Sequence, residues 1–190
     1  MNEQELIALL KEGDESAFKE LVVTWQDMVY NTVLSIVQNE EDAEDVSQEV
    51  FVQVYQSISS FKAESKLSTW IYRIATTKAL DHLRKKKRKK RFAFVQSLFG
   101  FQENENEQPA TFIHPGVILD NKEKAGVLFK ALEKLPEKQK IAFTLHKIEG
   151  LSYQEIADIM QTSLSAVESL IHRAKGNLKK QLTDYYLTNN

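Results

Sequence analysis

Between Phe18 and Val37 the apolar residues Phe18, Leu21, Val22, Trp25, Val29, Val33, Ile36 and Val37 recur at three- and four-residue intervals. That spacing places them along one side of an α-helix, and a strip of this kind is stable only when another element covers it. Comparable strips follow. Ala43, Val46, Val50 and Val54 form the inner face of a third helix, and Trp70, Ile74, Thr77 and Leu80 trace successive turns of a fourth. Only six Gly and three Pro occur in 190 residues, which favours long helices over hairpins. No segment of useful length alternates with a period of two. The sequence therefore predicts an all-α fold.

Punctuation divides the chain. Gly13 stops a short first helix and Asp14 is placed to cap the second. The polar stretch around Ser59–Ser68 separates the third helix from the fourth. Residues 96–121 hold two Pro and two Gly with no sustained period and read as a flexible linker. Helical pattern resumes near Lys122, with Pro136 in the first turn of a later helix and Gly150 ending it. Ser152 and Glu155 then make a capping box ahead of a short helix. A polar break at Gln161–Ser163 follows, and Val167, Ile171, Ala174, Leu178 and Leu182 trace one stripe of a longer helix. Short helix, tight turn and longer helix match a helix-turn-helix. The expected layout is two helical domains, 1–95 and 122–190, joined by the linker 96–121.

Several function classes find no support. Without cysteine there are no disulfides and no thiolate metal sites, and the composition fits a reducing cytoplasm. Met1–Glu15 is acidic and has no long apolar core, so no signal peptide is expected. No apolar run nears the roughly 20 residues of a membrane span. His82, His114, His146 and His172 are scattered without metal-ligand spacing, and no glycine-rich phosphate loop or nucleophile motif occurs. No enzyme activity, metal or cofactor is expected.

The net charge of −2 conceals a strong asymmetry. Residues 1–49 carry 2 basic and 13 acidic side chains, a net of −11, whereas residues 62–91 carry 12 basic and 2 acidic, a net of +10. Adjacent blocks of opposite sign suggest two partners: a basic protein surface for the first and phosphates for the second. In the third helix Asp42, Asp45, Gln48 and Glu49 lie on one polar arc, either a solvated face or a docking surface. The run Arg84–Arg91 is eight consecutive cations. On pattern alone it is a solvated face, a linker, a nuclear localisation signal or a phosphate site. Phe61, Trp70 and Tyr72 stand just upstream, interleaved with Lys62, Lys66, Arg73 and Lys78. Rings that stack bases beside cations that hold a backbone suit single-stranded DNA; a core role for Trp70 is the competing reading. In the last long helix Ser163, Ser165, Glu168, Ser169, His172 and Arg173 lie away from the apolar stripe, as major-groove reading requires, unless the pair is an ordinary helical hairpin.

Three stretches, in this order and spacing, resemble the sigma-70 family of RNA polymerase factors, of the extracytoplasmic-function (ECF, group 4) type. "DAEDVSQEVFVQVY" (Asp42–Tyr55) resembles region 2.2, "FKAESKLSTWIYRIATTKALDHLRK" (Phe61–Lys85) resembles regions 2.3 and 2.4, and Leu135–Leu178 resembles region 4. The resemblance covers nearly the whole chain, least specifically in the linker. It implies a promoter-specificity subunit without catalytic activity, which binds core RNA polymerase, directs it to −10 and −35 elements and helps melt the promoter.

The resemblance also implies residue roles. Asp42, Asp45, Gln48, Glu49 and Tyr55 would dock on the β′ clamp helices, with the β flap a second contact on polymerase. Phe61, Lys62, Lys66, Ser68, Trp70, Arg73 and Lys78 would serve the −10 element, the loop Lys62–Ser68 capturing a base flipped from the strand. Arg84, Lys85, Lys86, Lys87 and Arg88 would hold promoter phosphates. Ser163, Ser165, Glu168, Ser169, His172, Arg173 and Lys175 would read the −35 element. The acidic Glu103–Glu107 of the linker would mimic nucleic-acid charge inside polymerase. An anti-sigma factor is the implied regulatory partner, with no membrane insertion by this chain. The pattern departs from the family at Glu168 and Leu170, where many relatives carry Lys and Arg. A weaker electrostatic grip on the −35 element is expected, or a different readout, with Glu168 accepting from a cytosine amino group.

Overall fold

The computed structural model of the chain describes residues 2–98 and 122–188. Eight α-helices and one 3-10 turn account for nearly all of them, and no strand occurs among the described residues. The first four helices are α1 (Glu3–Glu12), α2 (Glu15–Val37), α3 (Glu40–Ser57) and α4 (Leu67–Leu98), with a 3-10 turn at Ile58–Ser60. The rest are α5 (Lys122–Glu133), α6 (Glu137–Lys147), α7 (Tyr153–Met160) and α8 (Leu164–Thr188). No helix among the described residues is long and apolar enough to cross a membrane.

Caps fix the helix ends much as the local sequence predicts. Asn2 and Glu5 form a reciprocal capping box on α1, and Gly13 closes that helix in the left-handed conformation at φ 82°. Asp14 then starts α2 by accepting from the Ala17 N–H at 2.8 Å, and Asn39 starts α3 by accepting from the Asp42 N–H at 2.8 Å. Ser152 and Glu155 box the start of α7. Gln161 closes α7 in the left-handed region at φ 50°, which turns the chain sharply into α8. Pro136 precedes α6 rather than lying within its first turn, and α6 ends at Lys147, three residues before Gly150.

The first unit is a bundle of α2, α3 and α4 with α1 laid along α2. Its core is continuous and includes Leu6 and Leu10 of α1, Leu21, Val29 and Val33 of α2, and Ala43, Val46, Val50 and Val54 of α3. The second unit wraps α5, α6 and α7 around α8. Val167, Ile171, Ala174 and Leu178 of α8 are buried, on the predicted stripe.

α4 differs from expectation in register. Its inner face is Leu67, Ile71, Ala75 and Ala79, and Trp70, Ile74 and Leu80 flank it half-buried. The strip is displaced because α4 is covered on two sides. One side packs on α2 and α3, where the small Ala75 and Ala79 permit close approach. The other side presents the buried Tyr72 toward the second unit, with the buried Thr76 one turn further along α4. A helix covered twice has no single apolar stripe, so periodicity misplaces its inner face. α4 continues to Leu98, three residues into the segment expected as linker. Residues 99–121, including Glu103–Glu107, lie outside the described residues.

Candidate nucleic-acid and partner interfaces

The acidic arc is a real surface on α3, because its inner stripe points the polar residues outward. Asp45, Gln48 and Glu49 are exposed and line a shallow groove with Val52, Gln53 and Gln56. Val52 is 55% exposed, a large apolar side chain in the midst of polar ones. It stands two residues from Val50 and from Val54, out of register with the buried stripe. That mismatch is the sequence signal that could have found it. Lys78 of α4 closes the groove, 3.9 Å from Glu49. One groove thus joins a residue expected to meet polymerase and one expected to meet DNA. Tyr55 is exposed outside this lining and stands edge-on to Phe18 at 5.2 Å.

Asp42 does something different from the rest of the arc. Its carboxylate lies 3.1 Å from His82 Nε2 and 2.9 Å from Lys86 Nζ, and its side chain is only 20% exposed. It therefore joins the start of α3 to α4 instead of facing outward. The acidic and basic blocks of the sequence run side by side and partly neutralise each other. Arg84 pairs with Asp81 at 3.3 Å and with Glu137 of α6 at 3.1 Å. Lys85, Lys87 and Arg88 are exposed along the outside of the helix.

In the loop before α4, Lys62 and Lys66 are exposed and Ser68 is half-buried. Ala63 holds a left-handed φ of 56°, which turns the loop back on itself. Phe61 was expected at a DNA-stacking position, but it is 5% exposed and belongs to the core. Its ring packs on Trp70 at 5.1 Å, tilted by 40°. A buried phenyl ring offers no face to a base, because burial of that ring holds the loop to the bundle. Trp70 is half-buried and packs against the core of the bundle.

Arg73 does not project freely either. It donates from Nε at 3.0 Å and from Nη2 at 2.7 Å to the carbonyl of Asp158, in the last turn of α7. Beside it, the Tyr72 hydroxyl donates to the Glu149 carboxylate. Burial, and secondarily the Glu149 charge, push the Tyr72 hydroxyl far above its ordinary range. Burial pushes the Glu149 carboxyl up from 4.5 to about 7, against the hydrogen bond from Tyr72. Neither Tyr72 nor Glu149 had a sequence signal as a pair, because they are distant in the chain.

On α8 the expected reading face is open. Ser165, Glu168, Ser169, His172, Arg173 and Lys175 are all exposed. Ser163 has a structural role as well: its Oγ accepts from the Ala166 N–H at 3.2 Å and so caps the helix. Packing of Val167 and Ile171 against α6 and α7 fixes the rotation of α8 and so sets which residues face outward. At the start of α7, hydrogen bonds from the Ser152 backbone and side chain hold the Glu155 carboxyl below its ordinary range.

Comparison with known proteins agrees with this arrangement. Sigma-70 region 2 matches residues 21–89, which span most of α2, all of α3 and most of α4, and sigma-70 region 4 matches residues 126–178, from α5 into α8. The ECF RNA polymerase sigma factor SigW of Bacillus subtilis is 34% identical over 179 residues, 94% of this chain and 95% of that protein. The ECF RNA polymerase sigma-E factor of Escherichia coli K12 is 33% identical over 175 residues, 92% of this chain and 91% of that protein. Among solved structures, CnrH in complex with the cytosolic domain of CnrY shares the fold, with a TM-score of 0.66 at 22% identity, over 96% of this chain and 97% of that one. Two sigma-70 regions in order, at this identity along almost the full length of both chains, establish that the protein belongs to the ECF sigma factors of the sigma-70 family.

Proposed function

We propose that this ECF sigma factor divides its work between α3, α4 and α8, with residues 1–95 and 122–190 as the two working domains and 96–121 as their tether. Asp45, Gln48 and Glu49, with Val52 among them, dock on the clamp helices of polymerase. Burial of Val52 supplies the apolar contact, and the acids supply steering and register. Asp42 supports this surface from behind by tying α3 to His82 and Lys86. Tyr55 extends the same surface toward Phe18.

On the DNA side, Lys62, Lys66 and Ser68 flank a loop suited to an extruded base, and the half-buried Trp70 stands beside it for the unstacked strand. Unstacking costs a few kcal/mol, which a preformed loop with cationic flanks offsets. Phe61 is a positioning residue for Trp70. Arg73 and Lys78 continue the cationic track, and Arg84 to Arg88 hold duplex phosphates beyond it. On α8, Ser165, Glu168, Ser169, His172, Arg173 and Lys175 face the −35 major groove. A carboxylate on such a face is repelled by phosphates, so Glu168 is placed to accept from a cytosine amino group. Catalysis belongs to polymerase, in the bacterial cytoplasm. An anti-sigma factor is the proposed regulator, as the sigma factor RpoE of Bartonella quintana was solved with the anti-sigma factor NepR.

The observation that carries this reading is the open acidic groove of α3 on the same bundle as a cationic α4. Run-off transcription tests it. Bacterial core polymerase, a fragmented genomic library and this chain are expected to yield new transcript starts sharing two upstream elements. DNA binding by the chain without any new start would instead favour a helix-turn-helix regulator that never joins polymerase.

A further inference from the structure

The second side of α4 is occupied by the other half of the same chain. Tyr72, 9% exposed, enters an apolar cluster made by Ile141 and Leu145 of α6, Ile156 of α7 and Ile171 of α8. Met28 of α2 and Leu80 of α4 pack against the same cluster from the first unit. Around this apolar plug sit three polar contacts. Tyr72 donates to Glu149. Arg73 donates twice to the Asp158 carbonyl, at the negative C-terminal end of α7, where a cation is favoured. Arg84 reaches Glu137 in the first turn of α6.

These contacts take up residues with another task. Arg73 and Arg84 belong to the cationic track assigned to promoter DNA, and an arginine donating to Asp158 or Glu137 cannot also serve a phosphate. Lys66, at the mouth of the base-capturing loop, lies near enough to Glu155 of α7 to lower its carboxyl. The reading face of α8 stays open throughout. Masking is therefore selective: it falls on the −10 track and spares the −35 helix. A buried aromatic anchor ringed by exposed polar contacts is the anatomy of a reversible interface.

We infer that α6 and α7 act as a built-in competitor for the −10-reading side of α4, so that the free chain rests in a closed form plugged by Tyr72 and must open before Arg73 and Arg84 can hold DNA. The DNA part of this inference rests on the function proposed above; the closed form itself does not. The rim chemistry makes the plug easy to release. Glu149 is half-buried, and its Oε1 has no partner among the described residues, so its charged form is disfavoured in the closed state. A partner that separates the two units relieves that carboxylate and frees two arginines in one movement.

The experiment uses the full chain. Because it has no cysteine, Glu12→Cys and Lys179→Cys, both at exposed positions, accept a donor and an acceptor dye without competing sites. The free chain is expected to give one high-transfer population. Glu149→Lys combined with Glu137→Lys, which takes the acceptor from the Tyr72 hydroxyl and sets a cation against Arg84, should move most molecules to low transfer. It should also raise affinity for a random-sequence single-stranded 20-mer about tenfold, as the competent fraction rises. Glu149→Gln, which keeps the shape and removes the charge, should shift the population the other way and serves if the double variant fails to fold. Equal transfer in the parent and all variants would overturn the closed form. Opening with unchanged oligonucleotide affinity would overturn the masking. Loss of core-directed transcription in the parent would sink the proposed function and leave the dye result standing.

Discussion

The two units solve the burial problem differently. The first closes its core by itself: α1, α2, α3 and the inner side of α4 share one continuous apolar cluster. The second has two smaller clusters, one around Phe129, Leu132 and Ala174 and one around Ile141, Ile156 and Val167. Only the latter recruits a buried side chain from the other unit, Tyr72. The first unit is thus a platform, and the second is a lighter body whose packing is completed by the platform. A protein built this way can expose new surface by separation without unfolding either half.

The largest expected effects test that asymmetry. Leu21→Ala removes a fully buried side chain from the platform and is expected to cost about 2–5 kcal/mol in denaturant titration. Tyr72→Ala, although carried by α4, should loosen the second unit more than the first. Hydrogen exchange of α6 amides should speed up while α2 amides stay protected. Equal acceleration in both units would erase the distinction drawn here.

Next comes the outward-facing acid. Asp45→Lys with Glu49→Lys should leave the fold intact and weaken core polymerase binding by about 2–5 kcal/mol, read in a competition assay. Asp42→Asn should do less to polymerase binding and more to the α3–α4 contact, since its carboxylate is already engaged with His82 and Lys86. If Asp42→Asn proves as damaging to polymerase binding as the double reversal, the inward role assigned to Asp42 is wrong.

Acidity offers a finer probe of the junction. The Glu149 carboxyl titrates near 7 in the closed form against an ordinary 4.5, so the closed form binds its proton more tightly than the open one. Closure is strongest below about 4.5, weakens as pH rises through the window to about 7, and is level above it. Tyr72 faces Glu149 from α4, and Glu155 of α7 acts on the same hydroxyl. Tyr72 is pushed upward, away from this window, and Glu155 downward, out of it. Dye transfer should therefore fall by about one to two orders of magnitude in the closed-to-open ratio between pH 4.5 and 7. A flat profile, or one that persists in Glu149→Gln, would remove Glu149 from the latch.

The smallest effect concerns salt. Replacing Lys85, Lys87 and Arg88 by Gln should reduce the salt slope of promoter binding by the polymerase complex by about 3, against about 2 for Arg173 and Lys175. Lys86→Gln should remove less than one unit, because Asp42 already holds that ammonium. Equal loss per residue, Lys86 included, would mean that the Asp42 contact gives way on DNA.

The legible parts of this molecule were those fixed by local rules. Caps at Asp14 and Ser152, the left-handed Gly13 and the α8 stripe follow from residues within a turn of one another. The outward acids of α3 followed from the same logic, since Ala43, Val46, Val50 and Val54 define the inward side. What periodicity could not reveal was contact at long range. Phe61 looks like a stacking residue beside cations, yet the bundle claims its ring. Asp42 shares an arc with Asp45, yet a histidine forty residues away turns it inward. Tyr72 and Glu149 acquire meaning only when two units meet, and no spacing within either segment encodes that meeting.

One further consequence lies in the continuity of α4. At about 1.5 Å per residue, its 32 residues make a single rod of about 48 Å. Trp70 and Arg84 are 14 positions apart on it, hence about 21 Å, the axial rise of roughly six base pairs. The rod works as a ruler between the place where a strand is unstacked and the place where the duplex is gripped. It measures phase as well as length. A single residue inserted between Ala75 and Ala79 would advance the tail by only about 1.5 Å but swing it through about 100° around the axis. The cations would then face a different side of the promoter.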